Sequence, residues 1–268
     1  MNTIESVVEL SRRVQFVRFE DGLAGPGEGG VVREALVRVH VNGRELARLM
    51  CTPEQLDHLA LGFLRSEGLI RGMEDVRLVV VCPSRTCVEV WLRDANIELP
   101  GKPILTSGCG GGITFADLEA VGTPVRSELR IAAGEIGRLM SDLLAGQEAR
   151  GIHRSGLADA ERLLIVAEDV GRHNTLDKIW GYCLREEIET QERILLTTGR
   201  ISSEMLGKAA RMRVPVVVSR TSPTSLSVVL AEAWNITLVG YARRTSMNVY
   251  TGQERVLGER GAPNDANS

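Results

Sequence analysis

The sequence predicts an α/β protein in two parts, a small α+β unit over residues 31–105 and a larger α/β unit over residues 115–257. Two observations predict this. After about residue 160, strand-like runs alternate with helix-like runs, the pattern of βαβ units in a parallel sheet. Before residue 100, an Asn-Gly hairpin and a capped amphipathic helix sit among strands with period-2 alternation.

The elements follow in order. Residues 1–30 (with GLAGPGEGG at 22–30) read as a flexible N-terminal segment. ALVRVHV, Asn42-Gly43 and RELARLMC then form a hairpin, with Val37, Val39 and Val41 on one face. Thr52-Pro53-Glu54-Gln55 opens a helix, with Thr52 as cap and Gln55 completing a capping box. Its apolar stripe is Leu56, Leu59, Ala60, Phe63 and Leu64, and Gly68 ends it. VRLVVVC and CVEVWLR are two further strands. A glycine-rich loop occupies 106–114, and an amphipathic helix spans about 126–145, with Ile131, Ile136, Leu139, Met140 and Leu143 inward. The alternation then runs RLLIVA, TLDKIWGYCLREEI, RILLTT, SSEMLGKAARM, VPVVVS, PTSLSVVLAEAWN and ITLVGYA. Residues 258–268 have the composition of a disordered tail.

Composition excludes several classes. The net charge of -3 offers no basic field for nucleic acid. The basic residues are nearly all arginine, since Lys102, Lys178 and Lys208 are the only lysines. Arginine's planar fork suits phosphate and carboxylate. No apolar run reaches the roughly 18 residues of a membrane span, and MNTIESVVELSRRVQF has no signal-peptide core. The expectation is a cytoplasmic protein with reduced cysteines. The five cysteines, Cys51, Cys82, Cys87, Cys109 and Cys183, contain no CxxC pair and no zinc spacing.

Candidate chemistry falls at predicted strand ends, where α/β sheets bind ligands. Three clusters are Glu168 to Asn174, Thr198 to Ser203 and Ser219 to Thr224. Each leads into a helix, carries an arginine and offers a helix start, with Ser202 and Ser222 as caps. Singly these are ordinary βα loops; together they suit an anionic ligand. His173 reads equally as a general base or a hydrogen-bonded core residue. Cys109 lies among Gly108, Gly110, Gly111 and Gly112. Ordering four glycines costs on the order of 2–4 kcal/mol relative to alanine, with little packing in return. The loop is either a turn with an incidental cysteine or a moving segment carrying an accessible thiol. Cys51, Cys82, Cys87 and Cys183 lie in strand or helix patterns and read as small buried hydrophobes.

The run EDVGRHNTLDKIWG (168–181) resembles the signature of the formate dehydrogenase accessory proteins, the FdhD/NarQ family. Further matching runs are VNGRELARLMCTPEQLDHLALGFLRSEGLI (41–70), TSGCGGG (106–112), the GIH of 151–153, TTGRISSEMLGKAARMRVPVVVSRTSPTSLSV (197–228) and ITLVGYARRTSMNVYTG (236–252). The resemblance implies a sulfur carrier, a sulfurtransferase that takes persulfide sulfur from a cysteine desulfurase. It implies delivery of that sulfur to the molybdenum bis-molybdopterin guanine dinucleotide cofactor used by formate dehydrogenase. It further implies a C-terminal, cytidine-deaminase-like three-layer α/β/α domain and a homodimer. Cys109 matches the persulfide-carrying cysteine, and Tyr241, Ala242, Arg243, Arg244, Thr245 and Ser246 match the cofactor-binding stretch. Adjacent arginines on an extended chain face opposite sides, so one of Arg243 and Arg244 would meet the cofactor.

One departure stands out. Many members carry CxxC at this loop, whereas here Gly112 replaces the second cysteine. Cys109 would therefore both accept and donate sulfur. The departure also keeps open a cofactor-binding chaperone that moves no sulfur. A zinc nucleobase deaminase would need H-x-E and P-C-x-x-C, and neither occurs.

Overall fold

A computed structural model describes residues 10–99, 104–106, 124–145 and 151–258. Cys109, residues 107–114 of the predicted loop and 259–268 of the predicted tail lie outside them.

Over residues 11–30 the structure corrects the expectation of a flexible segment, and residues 1–9 of that segment lie outside the described residues. β1 (Ser11–Glu20) and β2 (Leu23–Val32) pair antiparallel over their whole length. The turn between them is Asp21-Gly22, with φ of 50° and 82°. Asp-Gly with both residues in the left-handed region is a favoured hairpin turn, and it outweighs the glycine-rich composition of β2. The hairpin stands apart as a two-stranded sheet and leaves Phe19 71% and Leu23 78% exposed.

The second unit is a five-stranded sheet. β3 (Ala35–Val41) and β4 (Arg44–Cys51) turn at Asn42-Gly43, both with positive φ, as predicted. β5 (Val76–Val81), β6 (Cys87–Leu92) and β7 (Ile104–Thr106) complete the order β5-β6-β3-β4-β7. Helix α1 (Leu56–Ser66) packs its predicted stripe on Val37, Val39, Val41 and Leu49. Its C-terminus is closed by Gly68 at φ 74°, with Gly68 N donating to Arg65 O and Leu69 N to Leu64 O. That is the Schellman arrangement. Its N-terminus differs from the expected capping box. The helix starts after Gln55, in the left-handed region, with no side-chain cap. Thr52 is engaged elsewhere, as described below.

The third unit is a six-stranded mixed sheet in the order β10-β9-β11-β12-β13-β14. Its strands are β9 (His153–Ala158), β10 (Leu163–Asp169), β11 (Ile194–Thr197), β12 (Val216–Ser219), β13 (Thr237–Gly240) and β14 (Asn248–Thr251). The parallel expectation holds for β11, β12 and β13. It fails at the edges, where β9 is antiparallel to both β10 and β11, and β14 is antiparallel to β13. β9 was hidden because HRSGLA carries polar residues and a glycine. Gly156 fits tightly there, since a Cβ would lie 3.1 Å from side-chain carbons of Leu143 and Leu163.

Strand alternation builds two apolar layers. Ile194, Leu196, Val216, Val218 and Val239 face α2 (Ala133–Ala145). Leu195, Val217 and Leu238 face α3 (Arg172–Arg185), α4 (Ser203–Arg211) and α5 (Ser225–Ala233). The result is an α/β/α sandwich. Two short strands, β8 (Ile131–Ala132) and β15 (Val256–Leu257), pair parallel beside α2. Among the described residues, no helix is long and apolar enough to cross a membrane.

The two larger units meet where α1 crosses α3. A methyl group on Gly62 would lie 1.8 Å from the Asp177 carbonyl oxygen, and one on Gly181 would lie 1.9 Å from that of His58. Only glycine permits this backbone approach.

Candidate functional site

The signature run at the end of β10 begins a buried polar network. Asp169 and Lys178 form an ion pair at 2.6 Å with both side chains fully buried. Asp169 also accepts from Gly171 N and Asn174 Nδ2, both at 2.8 Å, and from Thr52 N at 3.1 Å. Lys178 Nζ donates to Glu168 O at 2.9 Å and Thr52 O at 3.2 Å. Asn174 Nδ2 reaches Met50 O, and Thr52 Oγ1 accepts from Val170 N. Thr52 is thus a cross-unit tie rather than a helix cap. Every charge here is paired and hydrogen-bonded, as a buried ion pair requires.

A second tie lies one turn further along α3. Asp177 pairs with Lys208 of α4, 2.5 Å from Oδ2, and accepts from Ser66 Oγ at 3.2 Å. Burial raises the Asp177 carboxyl above its usual range, against the pull of Lys208. Asp169, Asn174, Asp177 and Lys178 of the signature are therefore occupied in joining α1 and β4 to the large sheet. His173 sits just above them, buried, with Nε2 3.5 Å from both Ser202 Oγ and Glu204 Oε2.

The carboxyl ends of β10, β11, β12 and β13 open on the same edge, which also holds the start of β9. Hydroxyls line it in a chain. Ser155 Oγ lies 2.7 Å from Thr175 Oγ1 and donates to Thr197 Oγ1 at 2.9 Å, which accepts from Gly199 N. Ser219 Oγ donates to Gly199 O at 2.7 Å. Two predicted loops are zipped together, with Ile201 N donating to Ser222 O and Thr224 N to Ile201 O. Ser202 caps α4 as expected, accepting from Met205 N. Ser222 does not cap α5. Thr224 does, in a capping box with Ser227, because the helix begins at Ser225, the residue after Thr224.

The edge is cationic. Arg154 pairs with Glu168 at 3.3 Å. Arg172 Nε and Arg220 Nη1 are buried nitrogens with no hydrogen-bond partner among the described residues. Burial and the neighbouring Arg172 guanidinium together lower the His153 pKa, which keeps the imidazole neutral. Buried polar nitrogens normally find partners, so two unfilled guanidinium positions suit an anion.

The predicted segment 241–246 leaves β13 at this edge and divides into two roles. Ala242 is fully buried and packs into the α2 layer, while its N–H donates to Ser219 O at 2.9 Å. Tyr241 N donates to Thr221 O at 2.8 Å and leaves the ring exposed. Arg243 spends part of its guanidinium on Arg220 O at 2.6 Å and Ala242 O at 3.1 Å. Arg244, Thr245 and Ser246 instead line a recess of about 720 Å³ with the first residues of α2. The backbone there presses on α2 at Gly137, where a Cβ would meet the Arg244 carbonyl oxygen at 2.1 Å. The two arginines lie in a turn, with Arg243 N donating to Ser246 O at 2.7 Å, rather than on the extended chain that the expected alternation assumed.

The described cysteines are not all buried. Cys51 and Cys183 are, and burial pushes both thiols up to about 12. Cys82 and Cys87 are half-exposed at the mouth of the β5–β6 hairpin, because the strands end there. Strand propensity alone hid this exposure.

Comparison with known proteins places the chain. The model of the FdhD/NarQ family matches residues 32–257. The chain is 37% identical over 249 residues to the sulfur carrier protein FdhD of Bacillus subtilis (strain 168), covering 89% of this chain and 95% of that one. It is 40% identical over 235 residues to the sulfur carrier protein FdhD of Bacillus pumilus (strain SAFR-032), covering 84% and 90%. The crystal structure of a "putative formate dehydrogenase accessory protein" from Desulfotalea psychrophila superposes with a TM-score of 0.78 at 28% identity, covering 93% of this chain and all of that one. With matches spanning nearly the whole length, the chain belongs to the FdhD/NarQ family.

Proposed function

We propose that this protein is a sulfur carrier serving formate dehydrogenase, with Cys109 as the carrying residue. The observation that supports the reading most is the near full-length similarity to proteins named as sulfur carriers. In the proposed cycle, the Cys109 thiolate attacks the terminal sulfur of a desulfurase persulfide. The desulfurase cysteine leaves as thiolate, and Cys109 keeps the sulfur as its own persulfide. That sulfur then passes to the molybdenum bis-molybdopterin guanine dinucleotide cofactor, which is cargo: the Cys109 S–S bond breaks, Cys109 leaves as thiolate, and the cargo in its reduced state would supply the two electrons that turn the outer sulfur into sulfide. The glycines around Cys109 would let donor and acceptor approach its sulfur closely.

The cationic edge would hold the cargo. Arg172 and Arg220 offer unfilled guanidinium nitrogens for phosphate, and the α4 start at Ser202 offers free N–H groups. Arg244, Thr245 and Ser246 would grip a further part of the cofactor from their recess. We read the α/β/α unit as cytidine-deaminase-like, the protein as cytoplasmic, and its assembly as a homodimer. One observation favours a second reading, a chaperone that holds cofactor without moving sulfur: Gly112 stands where many members have a second cysteine.

Mass spectrometry after incubation with a cysteine desulfurase and cysteine separates the two. The carrier gains one sulfur on Cys109, and Cys109→Ala loses sulfur loading while still binding guanosine diphosphate. Absence of added sulfur on the wild-type residue refutes the carrier and leaves the chaperone. Loss of nucleotide binding on Arg220→Gln would support the edge as the phosphate site.

A further inference from the structure

The β5–β6 hairpin closes on two cysteines that the proposed sulfur transfer does not use. Cys82 N donates to Cys87 O at 3.0 Å, so the two residues lie directly opposite each other. Such pairs have Cα atoms about 4.5–5.5 Å apart, inside the roughly 4.4–6.8 Å that a disulfide spans. Donors converge on the Cys82 sulfur. Cys87 N donates to it at 3.0 Å, and the hydroxyls of Ser84 and Thr86 lie at 3.2 and 3.9 Å. The turn that gathers them is anchored. Arg85 adopts φ 56° and donates to Pro53 O and Glu54 Oε2, both at 2.8 Å.

Burial opposes ionisation of Cys82, but the Cys87 thiol, the Ser84 hydroxyl and the backbone donors outweigh it and bring the thiol down to about 6. Cys87 moves the other way, because its own proton is engaged by Cys82. One accessible thiolate beside one protonated thiol is the arrangement of a reactive cysteine with its resolving partner.

We propose that Cys82 and Cys87 form a dithiol–disulfide couple that exchanges with low-molecular-weight disulfides, Cys82 attacking and Cys87 resolving. In the first step the Cys82 thiolate bonds to one sulfur of the small disulfide, whose S–S bond breaks and releases one thiolate. Cys87 then loses its proton and attacks the Cys82 sulfur. The Cys82–Cys87 bond forms and the second small thiolate leaves. Two protein thiols are oxidised, one small disulfide is reduced, and the two protons end on the departing thiols.

The test uses the full chain carrying Cys109→Ala, so that the carrier reading plays no part. Oxidised glutathione is added at neutral pH and the peptides are read by mass spectrometry. The couple predicts an internal Cys82–Cys87 disulfide, a glutathione adduct retained on Cys82 in Cys87→Ser, and no adduct on Cys87 in Cys82→Ser. A stable adduct on Cys82 with Cys87 intact overturns the proposal. So does an unreactive Cys82 in Cys87→Ser. Alkylation by iodoacetamide, with both cysteines in place, gives a check free of folding effects. Cys82 should react before Cys51, Cys87 and Cys183, with half-maximal rate near pH 6. A midpoint at the ordinary thiol value of about 8.5 overturns the assignment of Cys82 as attacking group.

Discussion

Replacing Gly62 by alanine sets two known effects against each other. In an isolated helix the change favours folding by about 0.8–1.0 kcal/mol. Here the new methyl would meet the Asp177 carbonyl oxygen at 1.8 Å, while ordinary contact begins at 3.4 Å, so α1 and α3 must part by roughly 1.6 Å. That movement would stretch the Ser66–Asp177 bond, now 3.2 Å, and the Thr52–Asp169 bond, now 3.1 Å, beyond hydrogen-bonding range. Buried groups left unpaired cost about 1–3 kcal/mol each, and overpacking adds about 1–3 kcal/mol. The clash should win, with a net loss of about 2–8 kcal/mol. Urea denaturation followed by circular dichroism measures it directly. Gly134→Ala is the matched control, because nothing lies within 4 Å of its Cβ position. The control should equal or slightly exceed wild type. A Gly62→Ala protein as stable as its parent would refute the account of the crossing.

Two further outcomes follow from the buried charges and imidazoles. Lys178→Met removes the cation from Asp169 and should destabilise by about 3–5 kcal/mol in the same urea assay, whereas a mere surface pair would lose less than about 1 kcal/mol. His58 and His153 both have pKa values lowered from 6.5, chiefly by burial, so the unfolded chain takes up their protons first as pH falls. Stability should therefore decline as pH drops below about 6.5, and the decline should shrink in His58→Gln, as read by melting temperature across pH.

Sequence carried the repeating elements well and the special positions poorly. Asn42-Gly43, Gly68 and Ser202 act as their chemistry predicts, because each works through its own backbone or the next turn. Asp21-Gly22 carried the same hairpin signal, obscured by the glycines after it. Thr52 misled because it is a good cap that a distant partner claims first, and Ser222 because the helix begins three residues further on, behind Thr224. β9 depends on neighbours far along the chain, since its residues lack strand character and gain it only between β10 and β11. For the site, Arg172 and Arg220 were visible as arginines at strand ends, but the hydroxyl chain through Ser155 and Thr175 was not. The exposure of Cys82 and Cys87 depends on where β5 and β6 stop, which alternation does not mark.

The network around Asp169 and Lys178 bears on how such proteins are recognised. The most distinctive run of the chain, residues 168–181, behaves as the rivet between two plates, while Cys109, the thiol proposed to carry sulfur, stands some sixty residues earlier in the sequence. A rivet constrains substitution whatever the plates are used for. A descendant that lost Cys109 would keep its shape, and with it the run by which it is detected. Searches keyed to that run will therefore gather carriers and former carriers alike, and the residues at 106–112 of the sequence are what sort them.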